Sequence, residues 1–254
     1  GSRLPMSLTR RLIAAGFTDL EKSERFLAAP ELAGLDQERL FSGFVRSANP
    51  DMALQSLVRL LSRIPSLAEL VGGEEEEGEA LFRVLGASEA LAEFVIRHPE
   101  NADLFHTGLR AEPGQVPART LRASLLESVQ AGSGPNPVAR LTGPEAYVQL
   151  RTRYRRHLLD LAIRDLGAAS PEDTMPAVGR ELADLAGAAL EAALAVSRAE
   201  LAEGAFDAAD VAAVRLAVIG MGKCGASELN YISDVDVIYV MDAPDLDETL
   251  AGRV

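Results

Sequence analysis

Two aspartates, Asp234 and Asp236, stand one residue apart where a β-rich run, Val235 to Val240, begins. Side chains two apart on a strand project to one face, so the carboxylates are expected to point together while Val235 and Val237 turn inward. Two such anions repel each other unless a cation lies between them. Their hard oxygens suit Mg²⁺, which completes its shell with water and substrate phosphates. Upstream, Gly220, Gly222 and Gly225 follow a first β-rich run, Arg215 to Gly220. They leave bare backbone whose N–H groups can approach a phosphate, and Lys223 adds positive charge. Ser233 immediately precedes the acidic pair. A metal pair about a dozen residues from a phosphate cradle lets the ion neutralise developing charge while the loop fixes the leaving phosphate. Singly, each feature has a plainer meaning: a turn with a solvated edge, a tight glycine turn, a lysine in water. Their order and spacing favour chemistry.

Other phosphate sites fit less well. Gly220-Met-Gly222-Lys-Cys-Gly225 satisfies G-x-G-x-x-G after a strand, with Asp242 following the next one, the outline of a dinucleotide site. That fold needs a crossover helix long enough to cover the sheet, and Ala226 to Ser233 offers barely two turns. A Walker A loop fails because Ala217 and Cys224 stand where glycine and a hydroxyl residue are required.

The elements that must position these residues are mostly helical. Apolar residues recur at spacings of three and four up to about Asp207, and almost no segment alternates with period two. Helices are expected over Asp51 to Ile64, Glu79 to Leu85, Ser88 to Arg97 and about Ala118 to Gln130, with Gly86 as a break and Ser88 as an N-cap. A stripe from Tyr147 through Leu150, Tyr154 and Leu158 to Leu161 and an alanine-rich one from Val178 to Val196 predict two longer helices that pack together. The fold class read here is mainly α: a helical region over 1–206, with internal linkers around 111–117 and 131–144, then a different domain beginning at 207.

Composition excludes several function classes. The chain has 254 residues, 48% of them hydrophobic, enough for one large core or two smaller ones. No stretch approaches the roughly 20 apolar residues of a membrane span, so neither membrane association nor a location outside the cytoplasm is expected. Cys224 is the only cysteine, which rules out an internal disulfide and a cysteine zinc cage. With 38 acidic against 25 basic residues and a formal charge of −13, nucleic acid is not an expected partner. Glu74 to Glu77 reads as a solvated loop leading into a helix, and Arg151 to His157 as a wet helix face. His98, His106 and His157 share no metal-ligand spacing.

The run Gly220 to Asp236 closely resembles the signature of bacterial glutamine synthetase adenylyltransferase, a bifunctional adenylylating and adenylyl-removing enzyme family. Leu81 to Ser88 and Arg97-His-Pro99 resemble the helical region that precedes the family's first catalytic domain. The resemblance implies that 207–254 begins an α+β nucleotidyltransferase-fold domain of the adenylyl-removing half, which uses phosphate to release AMP as ADP from a tyrosine of glutamine synthetase. Asp234 and Asp236 then match catalytic, Mg²⁺-binding aspartates, and Gly222, Lys223 and Gly225 the phosphate-side loop, with Ser233 beside the pair. Cys224 departs from the leucine expected there. The resemblance also implies partners: glutamine synthetase, ATP or ADP, phosphate and a nitrogen-signalling regulatory protein. Enzymes of this fold take a third carboxylate from a later strand. Asp242, Asp245, Asp247 and Glu248 fall in or beside the loop after the second run, so the chain is expected to be a fragment, inactive alone. The alternative from another class is a helical interaction module that docks a partner without chemistry.

Overall fold

The computed structural model describes residues 7–108, 111–204, 206–243 and 246. The described residues are mainly helical, with one two-stranded sheet. The chain forms two compact units, Gly1–Glu112 with Leu159–Pro171, and Pro113–Leu158 with Glu172–Val254.

The first unit is built from short helices: α1 (Leu8–Ala15), α2 (Leu20–Leu27), α3 (Gln37–Val45), α4 (Pro50–Arg63), α5 (Ala68–Gly72), α6 (Glu75–Ala87), α7 (Glu89–Arg97) and α8 (Leu104–Thr107). Polar side chains start several of them. Asp19, Asp36, Asn49 and Ser88 each accept a hydrogen bond from the backbone N–H three residues on, which satisfies one donor the first turn leaves orphaned. The core is aromatic. Phe44 meets Phe17 and Phe82 edge-to-face at ring separations of 5.3 and 5.0 Å, the arrangement the ring quadrupoles favour.

Two local expectations are corrected. Gly86 does not break the helix, because α6 runs through it to Ala87. Its missing side chain instead admits Ser47, whose Cβ lies 2.6 Å from where a Gly86 Cβ would sit. Glu75 to Glu77 are not a loop. They form the first turn of α6, where carboxylates meet the positive end of the helix dipole, and Glu77 also binds His106 at 2.8 Å.

The second unit packs α9 (Ala118–Ser128), the first part of α10 (Gly143–Leu166) and α11 (Pro171–Glu203) around one apolar cluster. Leu121, Leu125 and Leu126 of α9 and Ala146 of α10 meet Leu185, Ala188, Ala192, Ala195, Val196 and Ala199 of α11, and Leu150 and Tyr154 pack against them. Small side chains on α11 let its neighbours approach closely. Carboxylates of α11 fasten the chain around it. Glu181 accepts from Gly114 N–H at 2.7 Å and Glu200 from Gly143 N–H at 2.9 Å. Glu191 takes both Arg122 nitrogens, at 2.7 and 2.6 Å, and Arg122 also donates to the carbonyls of Ser133 and Gly134. After α12 (Ala208–Ala213) come β1 (Arg215–Gly220), the single turn α13 (Gly222–Gly225) and β2 (Val237–Asp242). The strands pair antiparallel, from Arg215 opposite Asp242 to Gly220 opposite Val237.

Asp51 ties α2 to α4, accepting from Thr18 N–H (2.9 Å), Thr18 Oγ1 (2.8 Å), Asp19 N–H (3.2 Å) and Ser23 Oγ (3.1 Å). Burial pushes its carboxyl pKa up, but those hydrogen bonds together outweigh burial and hold it below the ordinary 3.8. A carboxylate with a depressed folded pKa contributes stability above its unfolded pKa and loses it as pH falls through the folded one. Urea midpoints of the native chain should therefore fall more steeply than those of Asp51→Asn as pH drops from about 5 through 3.8 and below. At neutral pH, Asp51→Asn should be the less stable protein.

Candidate functional site

The segment joining β1 to β2 holds every residue that the sequence marks for chemistry. β1 leaves the ladder at Gly220, Gly222 adopts a left-handed φ of +52°, and the chain makes the turn of α13. Gly222 is favoured by that φ, and its bare Cα faces Asp236, whose Oδ2 would stand 3.3 Å from a Cβ there. Gly225 is required by proximity alone, since a Cβ would fall 2.3 Å from the Gly220 carbonyl oxygen. The amides of Gly225, Ala226, Ser227 and Glu228 close onto the carbonyls of Met221, Gly222, Cys224 and Lys223. Those of Gly222, Lys223 and Cys224 have no carbonyl partner among the described residues.

The aspartates precede the second strand instead of lying in it, because β2 begins at Val237. With the first chain turned aside at Gly222, no strand faces Asp234. The ladder reaches one residue past β2, where Met221 N–H donates to Asp236 O at 2.8 Å. The two-residue alternation nevertheless persists: Asp234 and Asp236 are exposed while Ser233, Val235 and Val237 are half-buried. Neither carboxylate, nor the Lys223 ammonium, has a hydrogen-bond or ion-pair partner among the described residues. The structure thus brings Gly222 against Asp236 but does not pair Lys223 with either aspartate.

Two exposed, unpartnered carboxylates two residues apart offer hard oxygens, the donor type that Mg²⁺ takes. Among the described residues no group of three His, Cys, Asp or Glu side chains could hold a metal. Glu228, the other acid of the connection, does not join the pair. Asp242 lies at the far end of β2, opposite Arg215, roughly 20 Å along the strand from Asp236. Asp245, Asp247 and Glu248 lie outside the described residues. The antiparallel pairing removes the dinucleotide reading, which needs parallel strands joined by a covering helix.

Helices of the second unit hold this connection. Leu229 is buried and its N–H donates to Gly179 O of α11 at 3.3 Å. Burial pushes the Tyr154 hydroxyl of α10 above its usual pKa, and nearby Cys224 adds to the shift. Sequence reasoning missed Gly179 and Leu229. The available signal was a glycine in an alanine-rich helix, a residue kept there when another backbone comes close. It also missed Ser227, a non-glycine residue at φ +59°.

Comparison with known proteins points one way. A family model described as glutamate-ammonia ligase adenylyltransferase matches residues 78–253. Proteins named bifunctional glutamine synthetase adenylyltransferase/adenylyl-removing enzyme are similar over almost the whole chain. The one from Leifsonia xyli subsp. xyli is 42% identical over 245 residues, covering 95% of this chain and 24% of that protein. The Streptomyces coelicolor relative is 41% identical, covering 96% and 23%, and that of Bifidobacterium longum 36%, covering 93% and 22%. The chain therefore spans about a quarter of the length of these curated relatives. No solved structure matches it.

The turn geometry makes opposite demands at two nearby positions. Gly225→Ala forces a methyl group into the Gly220 carbonyl and should speed amide exchange across 221–228. Ser227→Gly, by relieving a left-handed φ, should slow it, the two changes differing in sign by about 1 kcal/mol each. Hydrogen exchange read by mass spectrometry checks both.

Proposed function

The chain belongs to the glutamate-ammonia ligase adenylyltransferase family, and from that premise we propose that it carries the beginning of a nucleotidyltransferase-fold domain whose site acts on adenylylated glutamine synthetase. The observation that carries the reading is the pair Asp234 and Asp236, exposed and unpartnered, with Asp236 set against the bare Cα of Gly222. The direction proposed is deadenylylation. It is supported by the likeness of Leu81 to Ser88 and Arg97 to Pro99 to the helical region before the family's first catalytic domain.

In this reaction an oxygen of inorganic phosphate attacks the phosphorus of the tyrosyl-AMP group. A phosphorus–oxygen bond forms to give ADP, the bond to the tyrosine oxygen breaks, and that oxygen takes a proton. Asp234 and Asp236 would hold Mg²⁺, which supplies neutralising charge at the phosphoryl oxygens. The protein's own part is placement. The Gly222, Lys223 and Cys224 amides and the Lys223 ammonium would receive phosphate oxygens, with Gly225 keeping the turn tight and Ser233 leading into the acidic pair. A regulatory nitrogen-signalling protein as a further partner, and a cytoplasmic location, belong to the same reading. Among the described residues no helix is long and apolar enough to cross a membrane. The chain by itself is proposed to be inactive, since two carboxylates on a two-stranded ribbon make an incomplete site.

In a longer family enzyme bearing these residues, Asp234→Asn or Asp236→Asn should lower phosphate-dependent deadenylylation by about a hundredfold or more, the scale of losing one preorganised electrostatic stabiliser. Binding to glutamine synthetase should persist. Unchanged turnover in both variants would defeat the catalytic reading and leave the helical docking alternative.

A further inference from the structure

We infer that Gly179 of α11 and Leu229 are positioning residues for Asp234 and Asp236, so that the helical unit sets the geometry of the metal site. This inference rests on the metal reading above and deepens it.

The connection between the strands is fixed at its ends by the ladder, where Met221 N–H meets Asp236 O. Its middle is fixed at Leu229, which is only 4% exposed and whose N–H reaches the Gly179 carbonyl. Between that point and the aspartates Ile232 is 99% exposed, while Ser233 is half-buried. The ladder places Asp236, and where Leu229 docks limits where Asp234 arrives beside it. The docking needs glycine: a Cβ at 179 would stand 3.3 Å from Glu228 Cα, 3.4 Å from its carbonyl carbon and 3.5 Å from Leu229 O. All three are backbone atoms, which cannot swing aside as a side-chain tip can. Glycine weakens a helix, and α11 accepts it here amid alanines, three residues after the internal Pro176. Gly187 of the same helix faces open space, which makes it a matched control.

The test uses the 254-residue chain carrying Gly179→Val or Gly187→Val. Mn²⁺ alone serves as the metal probe, followed by water-proton relaxation beside amide exchange and thermal unfolding. Both variants gain helix propensity alike, so that change cancels between them. Gly179→Val should in addition speed exchange over 228–236 and weaken Mn²⁺ binding by about tenfold, the usual cost of disturbing a residue that orients a ligand. Gly187→Val should leave both as in the native chain. Equal Mn²⁺ affinity in the two variants, or a loss that only parallels the fall in unfolding temperature, overturns the inference. Should Gly179→Val fail to fold, Leu229→Ala removes the docking from the other side and must show the same pair of effects. If the native chain binds Mn²⁺ no better than a chain with Asp234→Asn and Asp236→Asn together, the metal reading fails. The exchange comparison then decides separately whether Gly179 holds the connection.

Discussion

A two-stranded antiparallel ribbon does not hold itself together in water, and β1 with β2 is such a ribbon. Ile219, Ile238, Tyr239, Val240 and Met241 remain exposed on it while Leu216, Val218 and Val237 are only half-buried, so its own faces are incompletely covered. Leu229 is the most buried residue of the connection between its strands and joins it to the helices. Burying a leucine side chain is worth about 1.5–3 kcal/mol, and the backbone bond to Gly179 fixes the register of that burial. The candidate site lies in the connection between the strands, so its geometry depends on this docking together with the ladder bond between Met221 and Asp236. The helices are in that sense part of the site, although none supplies a carboxylate to it.

How the chain uses its acids separates structure from chemistry. The formal charge of −13 suggests a uniformly solvated anionic surface, but several carboxylates are committed. Glu181, Glu191 and Glu200 recur along α11, and each closes a different loop, through a backbone N–H or through Arg122. Asp51 does the same for the start of α2. A carboxylate that accepts several hydrogen bonds has little capacity left for a ligand. Asp234 and Asp236, like the exposed Glu21, Glu145 and Glu172, are engaged by nothing among the described residues; what sets them apart is their spacing at the start of β2 beside the glycine turn.

Much of this was legible in the sequence for definite reasons. The long helices announce themselves by period, and α10 and α11 extend beyond the stripes that predict them. Ser88 caps α7 as its type and place indicate. The order strand, glycine turn, acidic pair survives in three dimensions. What local patterning did not carry were contacts distant in sequence. Gly86 looks like a break because glycine is a poor helix former, yet it is kept for its approach to Ser47. The start of β2 was misplaced by two residues because pairing needs a partner, and the partner turns away at Gly222. Gly179 and Leu229 are separated by most of α11 and all of β1, and no periodicity links them.

The proposed metal pair also carries a consequence for how such a site would be loaded. Two carboxylates supply few of the six positions Mg²⁺ requires, and the ion gives up its remaining waters reluctantly. The third acid that could complete a stronger cage is not among the described residues. Glu228 is held back in the turn by its own amide, and Asp242 is carried away by the length of β2. Asp234 and Asp236 would then bind the ion weakly until a phosphate oxygen enters its shell, and the turn at Gly222 places unengaged amides beside Asp236, where that oxygen would arrive. Metal and phosphate would strengthen each other's binding, because each completes what the other lacks.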